Sequence, residues 1–157
     1  MSKEIERKFL VKPEFRHLFQ DGKLYRQGYL FSDIEKVIRI RLVDDKGFLA
    51  VKSKLSGFTR NEFEYEIPYA DAEYIINNLC SNPLIEKYRS RVLNDDLLWE
   101  IDKFVGENEG LVIAEIELEN EKQSFNLPDW IDKEVTDDSR YYNSNLVKNP
   151  FCNWKNS

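Results

Sequence analysis

Glu4-Ile5-Glu6-Arg7-Lys8-Phe9-Leu10-Val11 is a strand pattern turned inside out. Side chains alternate faces along a strand, so Glu4, Glu6 and Lys8 share one face while Ile5, Arg7 and Phe9 share the other. The design returns at Arg39-Ile40-Arg41, Lys52-Ser53-Lys54, Glu62-Phe63-Glu64-Tyr65-Glu66, Glu100-Ile101-Asp102 and Glu115-Ile116-Glu117-Leu118-Glu119. One charged strand face ordinarily points at water. Its repetition through a short chain, acidic in some strands and basic in others, implies a sheet whose charged face lines a ligand site.

Working outward, period-two alternation predicts eight strands, over residues 3–11, 23–31, 36–43, 47–54, 60–67, 85–93, 97–104 and 111–119. Short separators with turn chemistry, such as Asp44-Asp45-Lys46-Gly47 and Asn94-Asp95-Asp96, favour antiparallel hairpins. A helix is predicted after Pro13 with Phe15, Leu18 and Phe19 as its apolar stripe, and another from an Asp71 N-cap through Ile75, Ile76 and Leu79. Shorter helices are predicted near 129–134 and 140–148. The expected fold is α+β: an eight-stranded antiparallel β-barrel, a tunnel with a charged interior and helices packed on the outside. It forms a single domain over residues 1–157, with 148–157 read as a loose tail. An unpaired interior charge costs several kcal/mol, so such a lumen must be wet and filled by counter-ions or ligand.

Bulk composition narrows the partners. Of 157 residues, 41% are hydrophobic and 33% charged, and 23 Lys+Arg against 29 Asp+Glu give a net charge of −6. That field disfavours nucleic acid and anionic membranes, but leaves room for a local cationic pocket. No run approaches the roughly 18 apolar residues of a membrane span. Met1-Ser2-Lys3-Glu4 leads directly into the charged strand, and Cys80 and Cys152 have no metal-ligand spacing. Free thiols and a cytoplasmic location are expected.

Parity gives the lumen two chemistries. If the sheet closes in simple chain order, the seventh, eighth and first strands bring Glu100, Asp102, Glu115, Glu117, Glu4 and Glu6 onto one wall. Arg39, Arg41, Lys52 and Lys54 then lie roughly opposite. Carboxylates without neighbouring His or Cys suit hard cations such as Mg²⁺ or Mn²⁺, and forked Arg donors suit phosphate oxygens. The same residues also fit cross-strand Glu–Arg pairs that neutralise one another on a solvated face. His17 is read as a surface or packing residue, and Trp99, Trp130 and Trp154 as core or cover. Gln27 and Tyr29 share a face.

At Glu4-Ile5-Glu6-Arg7-Lys8 the sequence resembles the CYTH superfamily, the triphosphate tunnel metalloenzymes, whose Glu-x-Glu-x-Lys signature opens the first strand. The resemblance continues through Arg26-Gln27-Gly28-Tyr29-Leu30, Arg39-Ile40-Arg41, Lys52-Ser53-Lys54, Lys87-Tyr88-Arg89, Glu100-Ile101-Asp102, Glu115-Ile116-Glu117 and Arg140-Tyr141, and is nearest to the small bacterial members. It implies Glu4, Glu6, Glu115 and Glu117 as metal ligands with Asp102 contributing, and Arg39, Arg41, Lys52, Lys87 and Arg89 as triphosphate ligands. Lys54, Arg60 and Arg140 are further phosphate-binding candidates. Lys8 and Tyr29 match a pair that would activate the attacking water.

The implied activity is Mg²⁺- or Mn²⁺-dependent hydrolysis of a small-molecule triphosphate, inorganic tripolyphosphate first. Lys8 serves as a base only if its pKa is depressed; a plain phosphate ligand is the other reading. A class IV-type adenylate cyclase, a thiamine or nucleoside triphosphatase, and a non-catalytic polyphosphate- or nucleotide-binding module use similar lumens. The resemblance also allows a homodimer.

Overall fold

The computed structural model describes residues 2–154. Nine strands form one sheet: β1 (Ser2–Val11), β2 (Lys23–Ser32), β3 (Lys36–Val43), β4 (Lys46–Ser56), β5 (Thr59–Ile67), β6 (Ile85–Asn94), β7 (Leu97–Phe104), β8 (Val112–Glu117) and β9 (Ile131–Glu134). Two α-helices accompany them, α1 (Tyr69–Asn78) and α2 (Asn143–Lys148). All pairings are antiparallel, and the order β5-β4-β3-β2-β6-β7-β8-β1 closes through β1–β5 into an eight-stranded barrel. β7, β8 and β1 are neighbours as chain order predicts. Closure, however, joins β1 to β5 rather than to β2, and β2 pairs with β6.

β1 is long enough to serve two partners along one edge. Glu4 sits opposite Arg60 of β5, whereas Phe9 and Val11 sit opposite Glu134 and Ile131 of β9. The segment expected as a helix near 129–134 is therefore a strand. An unpaired half-edge of β1 would leave backbone groups exposed, and Ile131 brings an apolar side chain to the cluster around Val11.

The alternation puts the oily layer outside the barrel. Phe9, Trp99, Ile101, Ala114 and Ile116 form a cluster on the outer faces of β1, β7 and β8, covered by Phe19 and Trp130. The edge-to-face pairs Trp99–Trp130 and Phe19–Trp130 have centroid separations of 5.4 and 5.1 Å. On β3, Ile40 and Leu42 pack beneath Ala72 and Ile76 of α1, whose spacing of four places both on one helical face. Pro68 occupies the α1 N-cap position; Asp71, expected there, lies in the first turn, where its charge suits the helix dipole. The stretch Pro13–Leu18 is a 3₁₀ helix.

α2 departs from the external cover. Leu146 and Val147 pack against Tyr29, Val37, Ile85, Phe104 and Ile113. These residues have lumen parity: Lys87 is registered with Phe104, and Asp102 with Ile113. The helix thus plugs one end of the barrel with apolar side chains. Beyond it, Phe151 and Trp154 pack against the same cluster, and Trp154 donates from Nε1 to the Asn149 carbonyl. Cys80 and Cys152 are free. Among the described residues no helix is long and apolar enough to cross a membrane.

Leu146→Ala should remove about 2–5 kcal/mol of unfolding free energy through the lost transfer and the cavity left in the plug. Urea unfolding followed by tryptophan fluorescence checks it.

Candidate active site

The lumen holds a cavity of about 220 Å³ bordered by eight cationic side chains and seven carboxylates. Near-balance is the condition for such a cavity to exist, because each ion taken from water must find a partner. The acidic wall comes from adjacent strands in register: Glu6 opposite Glu117, and Lys8 opposite Glu115. The Lys8 ammonium lies 3.1 Å from Glu115 and 3.3 Å from Glu6. Burial disfavours that charge, but the two carboxylates outweigh it and raise the Lys8 pKa. Burial likewise works against the Glu115 anion, yet Lys8, Arg89 and Lys87 hold its pKa well below the ordinary value. Glu6 receives the opposite treatment: burial and the neighbouring Glu115 push it up to about 8. Glu117 is also raised, by burial and by Glu4, Glu62 and Glu100.

Across the lumen, Lys52 lies 3.0 Å from Glu4 and 3.3 Å from Glu62, and Arg39 lies 3.0 Å from Glu64. Glu4 is driven up by burial but drawn lower overall by Lys52 and Arg39. Arg39 keeps one buried donor, Nε, without a hydrogen-bond partner among the described residues. Arg41 is pulled down to about 10 by burial and by Arg39 and Arg89 beside it. A forked donor and a crowded guanidinium on one wall favour an anion with several oxygens.

Asp102, expected to contribute to a metal site, lies behind the cavity wall. It is 0% exposed, and both oxygens are taken. Oδ1 accepts from Arg89 Nε at 2.7 Å, while Oδ2 accepts from Lys87 Nζ at 2.7 Å and Arg89 Nη2 at 2.8 Å. Asp102 anchors two cations that face the cavity from behind their charged ends. Burial opposes its ionisation, but Arg89 and Lys87 prevail and lower its pKa. Lys87, 1% exposed, is pushed to about 7 by burial, with Asp102 opposing and Arg89 and Arg41 assisting.

Other candidates divide. Lys8, Tyr29, Arg39, Arg41, Lys52, Arg60, Lys87 and Arg89 all border the cavity, with Glu4, Glu6, Glu115 and Glu117. Lys54 lies at a wider adjoining mouth that shares Glu4, Glu6, Lys8, Lys52 and Arg60. Lys8 and Tyr29 enter one cavity with different partners: Lys8 bonds Glu115, whereas the Tyr29 hydroxyl accepts from Gln27 at 3.2 Å. Arg140, expected at the phosphate, is bound instead to Asp138 at 2.7 Å and covers Trp154 at 5.0 Å, with a largely exposed side chain. Its motif position fixes a place in the chain but not a direction, and the Asp138 two residues away captures it. Sequence parity missed Tyr142, Asn143 and Ser144, which reach the cavity from the plug and its approach rather than from a strand. Tyr25 was legible, since it alternates with Gln27 and Tyr29.

The donor chemistry fits a divalent cation. Glu4, Glu6, Glu115 and Glu117 supply only oxygen, and the raised pKa of Glu6 reflects carboxylates crowded on one wall. Among the described residues, no three of these groups converge at metal-ligand spacing; Glu4, Glu6 and Glu115 turn toward ammonium groups that stand in for the cation.

A closed β-tunnel with clustered carboxylates facing phosphate-type cations defines a class of polyanion-binding tunnel proteins. Within it the chain belongs to the CYTH domain family, which it matches over residues 2–147. It is 53% identical over 155 residues to a protein of Acetivibrio thermocellus named inorganic triphosphatase, with 99% of both chains covered. A Nitrosomonas europaea protein of the same name is 36% identical over 152 residues, covering 92% of this chain and 96% of its own. The crystal structure of an inorganic triphosphatase superposes with a TM-score of 0.64 at 33% identity, over 94% of this chain and 95% of that one. A chain from Bacillus halodurans whose name proposes an adenylate cyclase shares the fold, at 18% identity and a TM-score of 0.62 over 77% and 84%.

Two outcomes follow from this electrostatic arrangement. Asp102→Asn should lower metal-free stability by about 3–5 kcal/mol, since it takes from buried Lys87 its one carboxylate partner among the described residues and from Arg89 its closest one; a chemical denaturation curve without divalent ions measures this, and an unchanged midpoint would remove the anchor role. Glu6 binds a proton in the fold up to about pH 8 but in the unfolded chain only to its ordinary 4.5. Between those values the folded state holds the extra proton, so stability falls as pH rises. From pH 5 to 7 the Glu6 contribution should decline by about 2 kcal/mol, and Glu6→Gln should flatten that slope.

Proposed function

We propose that this protein hydrolyses inorganic tripolyphosphate inside the lumen, aided by Mg²⁺ or Mn²⁺ held by Glu4, Glu6, Glu115 and Glu117. One observation carries the reading: a cavity of nearly balanced fixed charge whose cationic wall keeps donors unspent. A polyanion places negative charge beside the carboxylate wall, and a divalent cation arriving with it offsets part of that charge. When bound, the cation neutralises phosphate oxygens and polarises the phosphoanhydride. The 53% and 36% identical relatives named inorganic triphosphatase support the same substrate.

The chain's own groups divide the task. Arg39, Arg41, Lys52, Lys87 and Arg89 grip phosphate oxygens and hold the chain in line; Arg60 and Lys54 extend this charge to the mouth. Phosphoryl transfer depends mainly on such positioning and charge stabilisation. Lys8 acts as an ammonium at the phosphate, because Glu6 and Glu115 oppose the neutral amine that a base requires. Tyr29, whose oxygen accepts from Gln27, retains its O–H for phosphate or water. Water adds to a terminal phosphorus, the bridging P–O bond breaks, and orthophosphate and pyrophosphate leave. Free Cys80 and Cys152 support a cytoplasmic setting.

Incubation with tripolyphosphate, ATP and thiamine triphosphate, with and without Mg²⁺ or Mn²⁺, tests this. Metal-dependent orthophosphate release should be greatest with tripolyphosphate; cyclic AMP with pyrophosphate from ATP would instead establish the cyclase. Arg39→Ala and Glu117→Gln should each cost about 10²-fold or more in kcat/KM. Lys8→Arg should stay within about tenfold of wild type and Lys8→Met should not; a collapse of kcat in Lys8→Arg at unchanged KM would restore the base role.

A further inference from the structure

Two uncharged amides stand at the boundary between the charged lumen and the apolar plug. Gln27 is 1% exposed and uses its whole amide. Its Oε1 accepts from Arg41 Nε at 2.9 Å, and its Nε2 donates to the Tyr29 hydroxyl at 3.2 Å and to Asn143 Oδ1 at 3.3 Å. Asn143, the first residue of α2, accepts a second bond at that oxygen from Lys87 Nζ at 3.0 Å. One amide pair therefore joins the plug helix to two cations and a tyrosine of the cavity wall.

The choice of amides has a chemical consequence. Arg39 and Lys52 are held by Glu64, Glu62 and Glu4, so an incoming anion must compete with carboxylates for them. Arg41 is held at Nε by a neutral carbonyl and braced by the Tyr25 ring at 5.1 Å. A bond at Nε fixes the guanidinium plane without cancelling its charge, leaving the terminal nitrogens to a ligand. Lys87 is held from behind by Asp102 at 2.7 Å, and Asn143 adds a neutral hold at 3.0 Å on the side facing the plug. Gly28, between Gln27 and Tyr29, permits this placement: a Cβ there would meet Cys80 at 2.8 Å and Leu84 at 3.0 Å, forcing β2 away from its cover.

We propose that Gln27 and Asn143 are positioning residues, an amide bridge that makes the seating of α2 and the aiming of Arg41 and Lys87 toward polyphosphate a single event. The inference rests on the lumen being the triphosphate site, and deepens that reading by adding the plug helix to the binding apparatus.

Equilibrium binding of inorganic tripolyphosphate to the full chain without divalent metal, measured by calorimetry, is paired with KM and kcat in Mg²⁺. Gln27→Ala and Asn143→Ala should each weaken binding about tenfold, and the double variant no more than about twofold beyond the weaker single, because both break one bridge. Multiplying losses, or single variants binding like wild type, would overturn the bridge. Asn143→Asp keeps both acceptor contacts, so it folds where an alanine variant does not. It adds a charge beside Lys87 and should still raise KM about tenfold with a smaller change in kcat. Full restoration of affinity by Asp would mean a contact serving structure alone and would refute the proposal. Wild-type turnover judges the hydrolase reading separately: binding without hydrolysis removes that activity, while the variant binding ratios still judge the bridge. Failure of the wild type both to bind tripolyphosphate without metal and to turn it over in Mg²⁺ overturns both; turnover without metal-free binding leaves the variant KM ratios to judge the bridge.

Discussion

Mutual compensation of ions in a confined lumen is the constraint on which the molecule depends. An isolated carboxylate or ammonium in a poorly hydrated interior costs several kcal/mol, and removing one member of a buried pair strands the other. Here eight cations and seven carboxylates border one small cavity. Their pairing is distributed: Asp102 serves Lys87 and Arg89, Lys8 lies between Glu6 and Glu115, and Lys52 lies between Glu4 and Glu62. Because Lys8, Arg39, Lys52 and Arg89 each have more than one carboxylate partner, a ligand can displace one contact there without leaving an ion alone. A lumen of private pairs would resist any anion; a shared network can admit one.

This demand shapes the fold. If the inside of the barrel is ionic, the apolar core has to lie on the outer faces of the strands, and something must cover it. Trp130 and Phe19 cover β1, β7 and β8, and α1 covers β3 and β4. Closure of β1 on β5 then becomes electrostatically as well as conformationally useful, since it sets Glu4 opposite Arg60 and brings Lys52 to Glu4. The plug helix supplies the other boundary by ending the ionic lumen against an apolar surface.

The alternation of side chains was the legible part. A period of two is a property of the backbone, so Glu4, Glu6, Arg39, Arg41, Glu115 and Glu117 declare a common face without tertiary information. What alternation cannot encode is depth, direction beyond the strand, or pairing across long loops. Asp102 has the right parity but lies behind Lys87 and Arg89. Arg140 follows a strand and is caught by Asp138. Residues 131–134 carry too short a pattern to distinguish a strand from a helical turn, and their pairing with β1 is visible only once the barrel leaves that edge vacant. Asn143 lies on a helix, where the strand rule does not apply, and its bonds to Gln27 and Lys87 come from a plug inserted among strand residues of distant sequence.

The two ways of holding a cation in this lumen explain how a nearly neutral cavity can still select an anion. Carboxylate-held cations, such as Lys52 and Arg39, stabilise the empty protein but release their charge only against competition. Amide-held Arg41 is crowded by Arg39 and Arg89, so its guanidinium is pushed down to about 10 after burial has already disfavoured it. Glu64 and Tyr29 offset part of that stress and an anion would relieve the rest, since the groups that hold Arg41 are the neutral Gln27 amide and the Tyr25 ring. Balance over the whole lumen therefore coexists with local imbalance: excess carboxylate near Glu6, where burial and Glu115 force a proton on, and excess cation near Arg41. A metal-bound polyphosphate is dipolar in the same sense, positive at the metal and negative along the chain. Such a ligand would suit both ends at once.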